Sequence, residues 1–382
     1  MREDIETGRT LGLYIHIPFC IQKCKYCDFL SFPATEQIQC RYVEALAKEM
    51  ELWKEKTGFR PVDTIFIGGG TPSVISVEKM RILLEAVREN FQINRLKEFT
   101  VECNPCTVSG DKLQLYRDMG VNRLSIGMQS TDGSELKSLG RIHTYHEFLQ
   151  SYEMARDYGF ENINIDIMSA VPGQTLESYE KTLKCVIKLR PEHISSYSLI
   201  LEEGTPLYDL YAGEPPVDEE TDRRMYERTE EILACAGYER YEISNYARKG
   251  LECRHNLKYW KREEYLGIGL GASSFMNHSR FSNERDMEIY INQIHSGNLP
   301  VAEKEELSPW DEKSEFMYLG LRCMEGISEK RFYECFGEKV EHCFGEEILR
   351  CQEQGLLVRE EGRIFLTRRG IDVSNRVFAE FI

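Results

Sequence analysis

Leu13–Phe29 reads LYIHIPFCIQKCKYCDF and sets Cys20, Cys24 and Cys27 in a C-x-x-x-C-x-x-C run just after a β-like apolar stretch. Three thiolates so close on one loop can take three corners of an iron–sulfur cube and leave the fourth iron without a protein ligand. A closed four-cysteine cluster carries electrons only, whereas an open corner admits an exogenous N/O ligand and therefore chemistry. The competing reading of such a cluster of cysteines is a zinc site. Zinc loops pair two nearby cysteines with a second distant pair, whereas here three cysteines crowd into eight residues of one loop.

Outward from that loop, the composition fits a cytoplasmic globular chain. Its 382 residues, 41% apolar, can build two or three domains around a sizeable core. Thirteen cysteines at scattered spacings give no disulfide framework, and the N-terminus MREDIETGRT has no apolar secretion segment. No apolar run reaches membrane-spanning length, so no intrinsic anchor is expected. A net charge of −16 makes the chain as a whole repel nucleic acid.

Up to about residue 200, strand-like runs alternate with amphipathic stretches, the pattern of a parallel sheet. The predicted strands are Leu13–Pro18, Asp63–Ile67, Glu98–Glu102, Arg123–Met128, Asn162–Met168 and His193–Ile200. Between them, Ser76 caps a helix with Met80, Leu83, Leu84 and Val87 on one face, and Thr144 with Glu147 forms a capping box. Six βα units rather than eight predict an α/β fold, a partial (β/α)6 barrel open along one side. Within the strands Leu124, Ile126 and Met128 alternate with Arg123, Ser125, Gly127 and Gln129, and Ile163, Ile165 and Ile167 with Asn164 and Asp166. If the apolar set packs on the helices, the polar set points inward and lines a wet cavity; the alternative is a hydrogen-bonded structural network.

Beyond Ile200, Gly213–Asp222 (GEPPVDEETD) reads as a linker or surface loop before a helix near Arg223–Ala236. A strand-like RYEISNY (Arg240–Tyr246), the segment RHNLKYW (Arg254–Trp260) and the Gly-rich LGIGLGASSF (Leu266–Phe275) follow. Helices near Asp311–Arg322 and Val340–Gln354, then strands Leu356–Val358 and Ile364–Leu366, suggest a winged-helix-like end domain. The expected organisation is a barrel over 1–210, an added α+β segment over 211–304 and a C-terminal domain over 305–382.

Several of these segments together resemble radical S-adenosylmethionine (SAM) proteins of the oxygen-independent coproporphyrinogen III oxidase group. They are the cysteine motif, Gly68–Pro72 (GGGTP), Val101–Pro105 (VECNP), Arg123–Ser130 (RLSIGMQS), Leu139–His143 (LGRIH) and Asn164–Pro172 (NIDIMSAVP). The resemblance implies a radical SAM barrel with a 4Fe–4S cluster on Cys20, Cys24 and Cys27, to whose open iron SAM binds. It also implies SAM contacts from Tyr14, Tyr26, Gly69, Gly70, Thr71, Glu102, Gln129, Arg141 and Asp166. Glu102 and Asp166 can accept from ribose hydroxyls or an ammonium, Arg141, expected to follow a strand, can pair with a carboxylate, and the glycines let backbone come close.

Two features divide the group. Where the oxidases carry a further cysteine in a C-x-C, Cys27 is followed here by Asp28 and Phe29. The HNLKYW motif, with His255, Asn256, Tyr259 and Trp260, resembles the H-N-x-x-Y-W signature of the HemW-type heme-chaperone branch. That branch implies heme binding, heme delivery to heme-dependent respiratory proteins and little or no oxidase activity, with membrane association, if any, through a partner and a homodimer left open. Imidazole is a common axial ligand of heme iron, and Tyr and Trp offer flat apolar area to a porphyrin. From the residues alone, His255 is equally a hydrogen-bonded core or surface histidine, and Cys253, His143 and His278 are rival ligands. The alternative function is the oxidase itself, a radical SAM decarboxylase; a radical SAM enzyme on another tetrapyrrole or a methyl acceptor is a third.

Overall fold

In the computed structural model of the protein, residues 10–382 are described. The reading of MREDIETGR as lacking a secretion segment lies outside the described residues. Six parallel strands follow one another in chain order: β1 (Leu11–Ile17), β2 (Val62–Gly69), β3 (Glu98–Cys103), β4 (Arg123–Gln129), β5 (Ile163–Ser169) and β6 (His193–Ser198). Each begins within two residues of the start expected from the alternation. The crossovers are helices α1 (Glu36–Lys54), α2 (Val77–Asn90), α3 (Gly110–Asp118), α4 (Gly133–Ser138), α5 (Tyr145–Asp157) and α6 (Leu176–Leu189).

Local chemistry sets these boundaries. Ser76 accepts from the Lys79 amide and fixes the start of α2, whose Met80, Leu83, Leu84 and Val87 are buried against the sheet. Thr144 and Glu147 close the expected capping box on α5. The outward Leu, Ile and Met of β4 and β5 enter the main core, whereas Ser125, Asn164, Asp166, His193 and Ser195 bond one another across strands inside the barrel. The lower interior is therefore the structural network, and only its upper rim is left for ligands.

The sheet does not close from β6 back to β1. It continues at both edges into a twelve-stranded sheet ordered β12-β11-β10-β9-β1-β2-β3-β4-β5-β6-β8-β7. At one edge the hairpin β7 (Glu239–Glu242) and β8 (Asn245–Ala247) pairs antiparallel to β6. At the other, β9 (Tyr265–Ile268) lies parallel to β1 and leads into antiparallel β10 (Ser273–Met276), β11 (Ser279–Asn283) and β12 (Val301–Glu306). Residues of this added segment, among them Met225, Leu233, Leu266 and Phe281, share the barrel's core.

Three sequence expectations change here. RYEISNY is two strands and a turn, because the Glu242 carboxylate accepts from the Ser244 amide at 3.0 Å and the Asn245 side chain and folds the chain back. The end of GEPPVDEETD is helical, because Asp218 accepts from the Thr221 amide at 2.9 Å and caps a helix over Glu219–Cys235. Arg141 follows the short helix α4 rather than a strand.

The C-terminal residues form their own core around Phe316, Leu321, Phe332, Phe344, Ile348 and Phe378. Helices over Pro309–Gly320, Glu329–Phe336 and Val340–Glu353 pack on a three-stranded sheet of β13 (Ile327–Ser328), β15 (Arg363–Leu366) and β14 (Leu357–Glu360), a winged-helix-like arrangement.

One buried carboxylate ties the added strands to the barrel. Glu49 on α1 is fully buried and accepts from the Gly269 amide at 2.8 Å, Asn283 Nδ2 at 2.7 Å and the Tyr290 hydroxyl at 2.6 Å. Gly269 has φ +105°, and a Cβ there would meet the Tyr42 hydroxyl at 2.5 Å, so glycine is required in the β9–β10 turn. Burial pushes the Glu49 carboxyl up to about 7 despite its three donors. The unfolded carboxyl titrates at about 4.3, so the folded chain keeps a proton that the unfolded chain has lost. Its contribution is thus full below about pH 4.3 and lost as pH rises through about 7. Between about pH 5 and about pH 8, the stability of the wild type relative to Glu49→Gln is expected to fall by roughly 2–3 kcal/mol in urea denaturation; a flat difference would show that the carboxyl stays ionised.

Candidate functional site

The cysteine loop sits at the carboxyl end of β1 and is knotted to its neighbours by backbone. The Cys20 amide donates to Phe32 O at 3.1 Å, and Lys25 N donates to Leu139 O at 3.0 Å. Gly70 N and Thr71 N donate to Ile17 O and Phe19 O, each at 2.8 Å. A Cβ on Gly70 would stand 2.7 Å from Phe19 O and 2.9 Å from Cys20 Sγ, so the cradle beneath that sulfur exists only with glycine.

Each thiol has a polar neighbour. Thr71 Oγ1 donates to Cys20 Sγ at 3.7 Å, Arg141 Nη1 to Cys24 Sγ at 3.6 Å, and Ser31 Oγ lies 3.9 Å from Cys27 Sγ. All three are free and partly exposed. Burial pushes the Cys20 and Cys27 thiols up, against the pull of these hydrogen bonds. Among the described residues no three His, Cys, Asp or Glu side chains converge as ligands of a single ion. In a cube each thiolate would take its own iron, and outer donors to sulfur such as these would tune it.

Asn104, which the motif reading passed over, links two of these contacts. Its Nδ2 donates to Thr71 Oγ1 at 2.7 Å and its Oδ1 accepts from Arg141 Nη2 at 2.7 Å. Arg141 also donates to Gly127 O at 2.7 Å, and its Nε is buried without a partner. Arg141, Asn104 and Gln129 close over Gly127, where a Cβ would meet all three within 3.3 Å. Gln129 holds φ +67°, an uncommon conformation for this residue at the end of β4. The signal available in sequence was Asn104's place in VECNP, directly after a strand end.

Tyr26 lies within the fields of Arg141, Cys24, Cys27 and Asp166, and burial raises its phenol. Glu102 accepts from the Gly69 amide at 3.1 Å; burial, reinforced by the charge of Asp166, pushes its carboxyl up to about 8. Asp166, also raised by burial, accepts from Asn164 at 2.7 Å and Ser125 at 3.2 Å. Two buried carboxyls that resist ionising together favour a cationic ligand, which would let both carry charge.

Beside this rim opens a cavity of about 630 Å3. Tyr14, Gly69 and Glu102 line it from the barrel, and Tyr259, Trp260 and Tyr265 from the added segment. Tyr14 Oη bonds His16 Nδ1 at 3.0 Å, and a Cβ on Gly69, at φ +112°, would strike the His16 ring at 2.6 Å. The structure thus joins part of the expected SAM set to two residues of HNLKYW; Tyr26, Gly70, Thr71, Gln129, Arg141 and Asp166 lie outside its lining.

His255 does not face this cavity. HNLKYW is a helix (Arg254–Trp260) whose start is capped by the Glu98 carboxylate, which accepts from Arg254 N at 2.8 Å and His255 N at 3.1 Å. His255 is 0% exposed, with Nδ1 2.9 Å from Thr64 Oγ1 and Nε2 2.8 Å from Tyr259 Oη. Burial drives its imidazole down to about 3, so it is neutral. Asn256 does not line the cavity either. Of the rivals, Cys253 is buried against Glu98 at 3.4 Å, and His143, lowered to about 4 by burial, bonds Met128 O at 3.1 Å. His278 is exposed and paired with Glu312 at 2.6 Å.

Replacing His255 by Leu leaves two buried hydroxyls without their partner, and urea denaturation of the heme-free protein is expected to show a loss of about 2–4 kcal/mol. A histidine kept only to bind a ligand would leave heme-free stability within about 0.5 kcal/mol.

The Radical SAM superfamily model matches residues 14–186, and the HemN C-terminal domain model matches residues 307–373. The heme chaperone HemW of Bacillus subtilis is 38% identical over 374 residues, covering 97% of this chain and 98% of its own. HemW of Escherichia coli is 42% identical over 265 residues, 69% of each chain. The solved structure of coproporphyrinogen III oxidase (HemN) from Escherichia coli superposes with a TM-score of 0.85 at 24% identity, over 98% of this chain and 90% of that one, a likeness of fold. By length, identity and architecture, the chain belongs to the HemW family of the radical SAM superfamily.

Proposed function

We propose that this protein is a heme chaperone that carries a 4Fe–4S cluster, binds SAM and holds heme for delivery to heme-dependent respiratory proteins. The observation that carries the reading is the shared cavity: one space of about 630 Å3 touches Gly69 and Glu102 at the barrel rim and Tyr259, Trp260 and Tyr265 on its far segment. Curated relatives that match most of the chain are named heme chaperones.

Cys20, Cys24 and Cys27 would hold the cluster, whose open iron would supply a coordination site for SAM and, on reduction, the means to cleave it. Thr71 and Arg141 orient and stabilise the thiolates, and Asn104 keeps the two in register. Glu102 and Asp166 are placed to receive the ammonium or ribose of SAM, and Arg141 its carboxylate. For heme, the cavity offers flat apolar area from Tyr259, Trp260 and Tyr265. His255 would have to break two buried hydrogen bonds to reach an iron, so we assign it to supporting Tyr259 rather than to ligation. Among the described residues no helix is long and apolar enough to cross a membrane, and we place the chain in the cytoplasm, meeting membranes through its heme-accepting partners.

The oxidase is the second reading, kept because it would use the same SAM site; Asp28 and Phe29 after Cys27 speak against it. Anaerobic reconstitution separates the two. Cluster-loaded protein is expected to give a Soret band on heme titration and no carbon dioxide from coproporphyrinogen III with SAM and reductant. Replacing Cys20, Cys24 and Cys27 by Ala should abolish cluster absorbance, and Tyr259→Ala with Trp260→Ala should weaken heme about 10-fold or more. Decarboxylation, or no Soret band from cluster-loaded protein, would overturn the chaperone reading.

A further inference from the structure

The lining of the 630 Å3 cavity contains two guanidinium groups in very different states. Arg280 is committed: its Nε bonds Glu315, its Nη1 lies 3.3 Å from the Tyr265 hydroxyl, and its plane stacks over Phe275 at 5.0 Å. Arg285 has no side-chain hydrogen bond or ion pair among the described residues. Its stem leans over Gly271, with Cγ 3.7 Å from where a Cβ would stand, and the His16 imidazole is held below the ordinary value by burial and, to a lesser degree, by the Arg285 charge.

The nearby carboxylates do not serve it. Glu284 turns back to accept from the Arg285 and Asp286 amides at 2.8 and 3.1 Å. Asp286 caps the helix Met287–His295 by accepting from Glu288 N and Ile289 N at 2.9 and 3.0 Å. Of the carboxylates in the lining, Glu102 accepts from Gly69 N and Asp28 forms no ion pair with Arg285. An exposed arginine without a side-chain partner among the described residues thus stands in the lining of a cavity whose wall is aromatic. Such a group recognises a carboxylate bidentately, and the wall beside it suits a flat apolar body.

We propose that Arg285 is the carboxylate anchor of the cavity, pairing with a propionate of the bound porphyrin. This rests on the heme reading above and names the feature of heme that the cavity recognises. The same fork could instead take the carboxylate of SAM, and the test separates the two sources.

Heme and heme dimethyl ester, in which both propionates are masked, are titrated into cluster-loaded wild type, Arg285→Gln and Arg285→Lys, with SAM binding measured in parallel. Wild type is expected to bind heme about 10-fold tighter than the ester, the size of one charge-assisted contact. Arg285→Gln should bind both ligands with the ester's affinity, Arg285→Lys should keep part of the preference, and SAM affinity should not move. Because Arg285 makes no contact the fold needs, the variants should unfold at the wild-type temperature. Equal binding of heme and ester by wild type, an undiminished preference in Arg285→Gln, or a loss confined to SAM overturns the anchor while leaving the heme reading standing. Wild type that binds neither porphyrin fails the heme reading instead.

Discussion

The approach of the β1 and β2 carboxyl ends governs the rest of the structure. Gly70 and Thr71 donate backbone hydrogen bonds to Ile17 and Phe19, so the turn after β2 lies on the loop that carries the cysteines. No side chain fits at residue 70 between Phe19 O and the Cys20 sulfur. Because the contact is made by backbone, its geometry does not depend on rotamers, and the first cysteine is placed before any metal arrives. Thr71, positioned by the same turn, then meets Cys20 and Asn104 together, which carries the constraint to Arg141 and the second cysteine.

Above that knot, the barrel interior divides by height. Near the amino ends, fully buried His193 and Asn164 bond each other and Ser125 and Ser195 and serve stability, while Arg123 reaches only Thr100, at 3.5 Å, and leaves its Nε without a partner. Nearer the carboxyl ends, burial holds the carboxyls of Glu102 and Asp166 above their ordinary range, and Glu102 also feels the charge of Asp166. The alternation of polar and apolar residues is the same in both layers, so the pattern reports that polar groups point inward and not which of them are free.

This explains what was legible in the sequence. Strand starts, the Ser76 cap and the Thr144–Glu147 box follow from local periodicity and short-range hydrogen bonds, which a linear reading contains. The cysteine spacing is likewise contained in eight consecutive residues. Pairings across long separations were not legible: Glu49 finds Gly269, Asn283 and Tyr290 more than two hundred residues away, and the edge strands β9–β12 attach to β1 by contacts that no periodicity encodes. His255 shows the same limit. Its residue type does not announce that the ring is buried and that both nitrogens are engaged, by Thr64 and Tyr259.

The aromatic wall belongs to no single segment. Tyr259 is braced from behind by His255, meets Tyr265 edge-on at 4.5 Å, and stands beside Trp260. Trp260 is in turn covered by Arg322 of the C-terminal region, 4.3 Å above its ring. Glu315 on the Pro309–Gly320 helix takes both Arg262 and Arg280, so the same region fixes the arginine that orients Tyr265. Tyr318 and Leu319 from that helix close the cavity's side. The C-terminal domain therefore meets the site through packing and charge, holding Trp260 and Arg280 and forming one side of the cavity beside the cysteine loop.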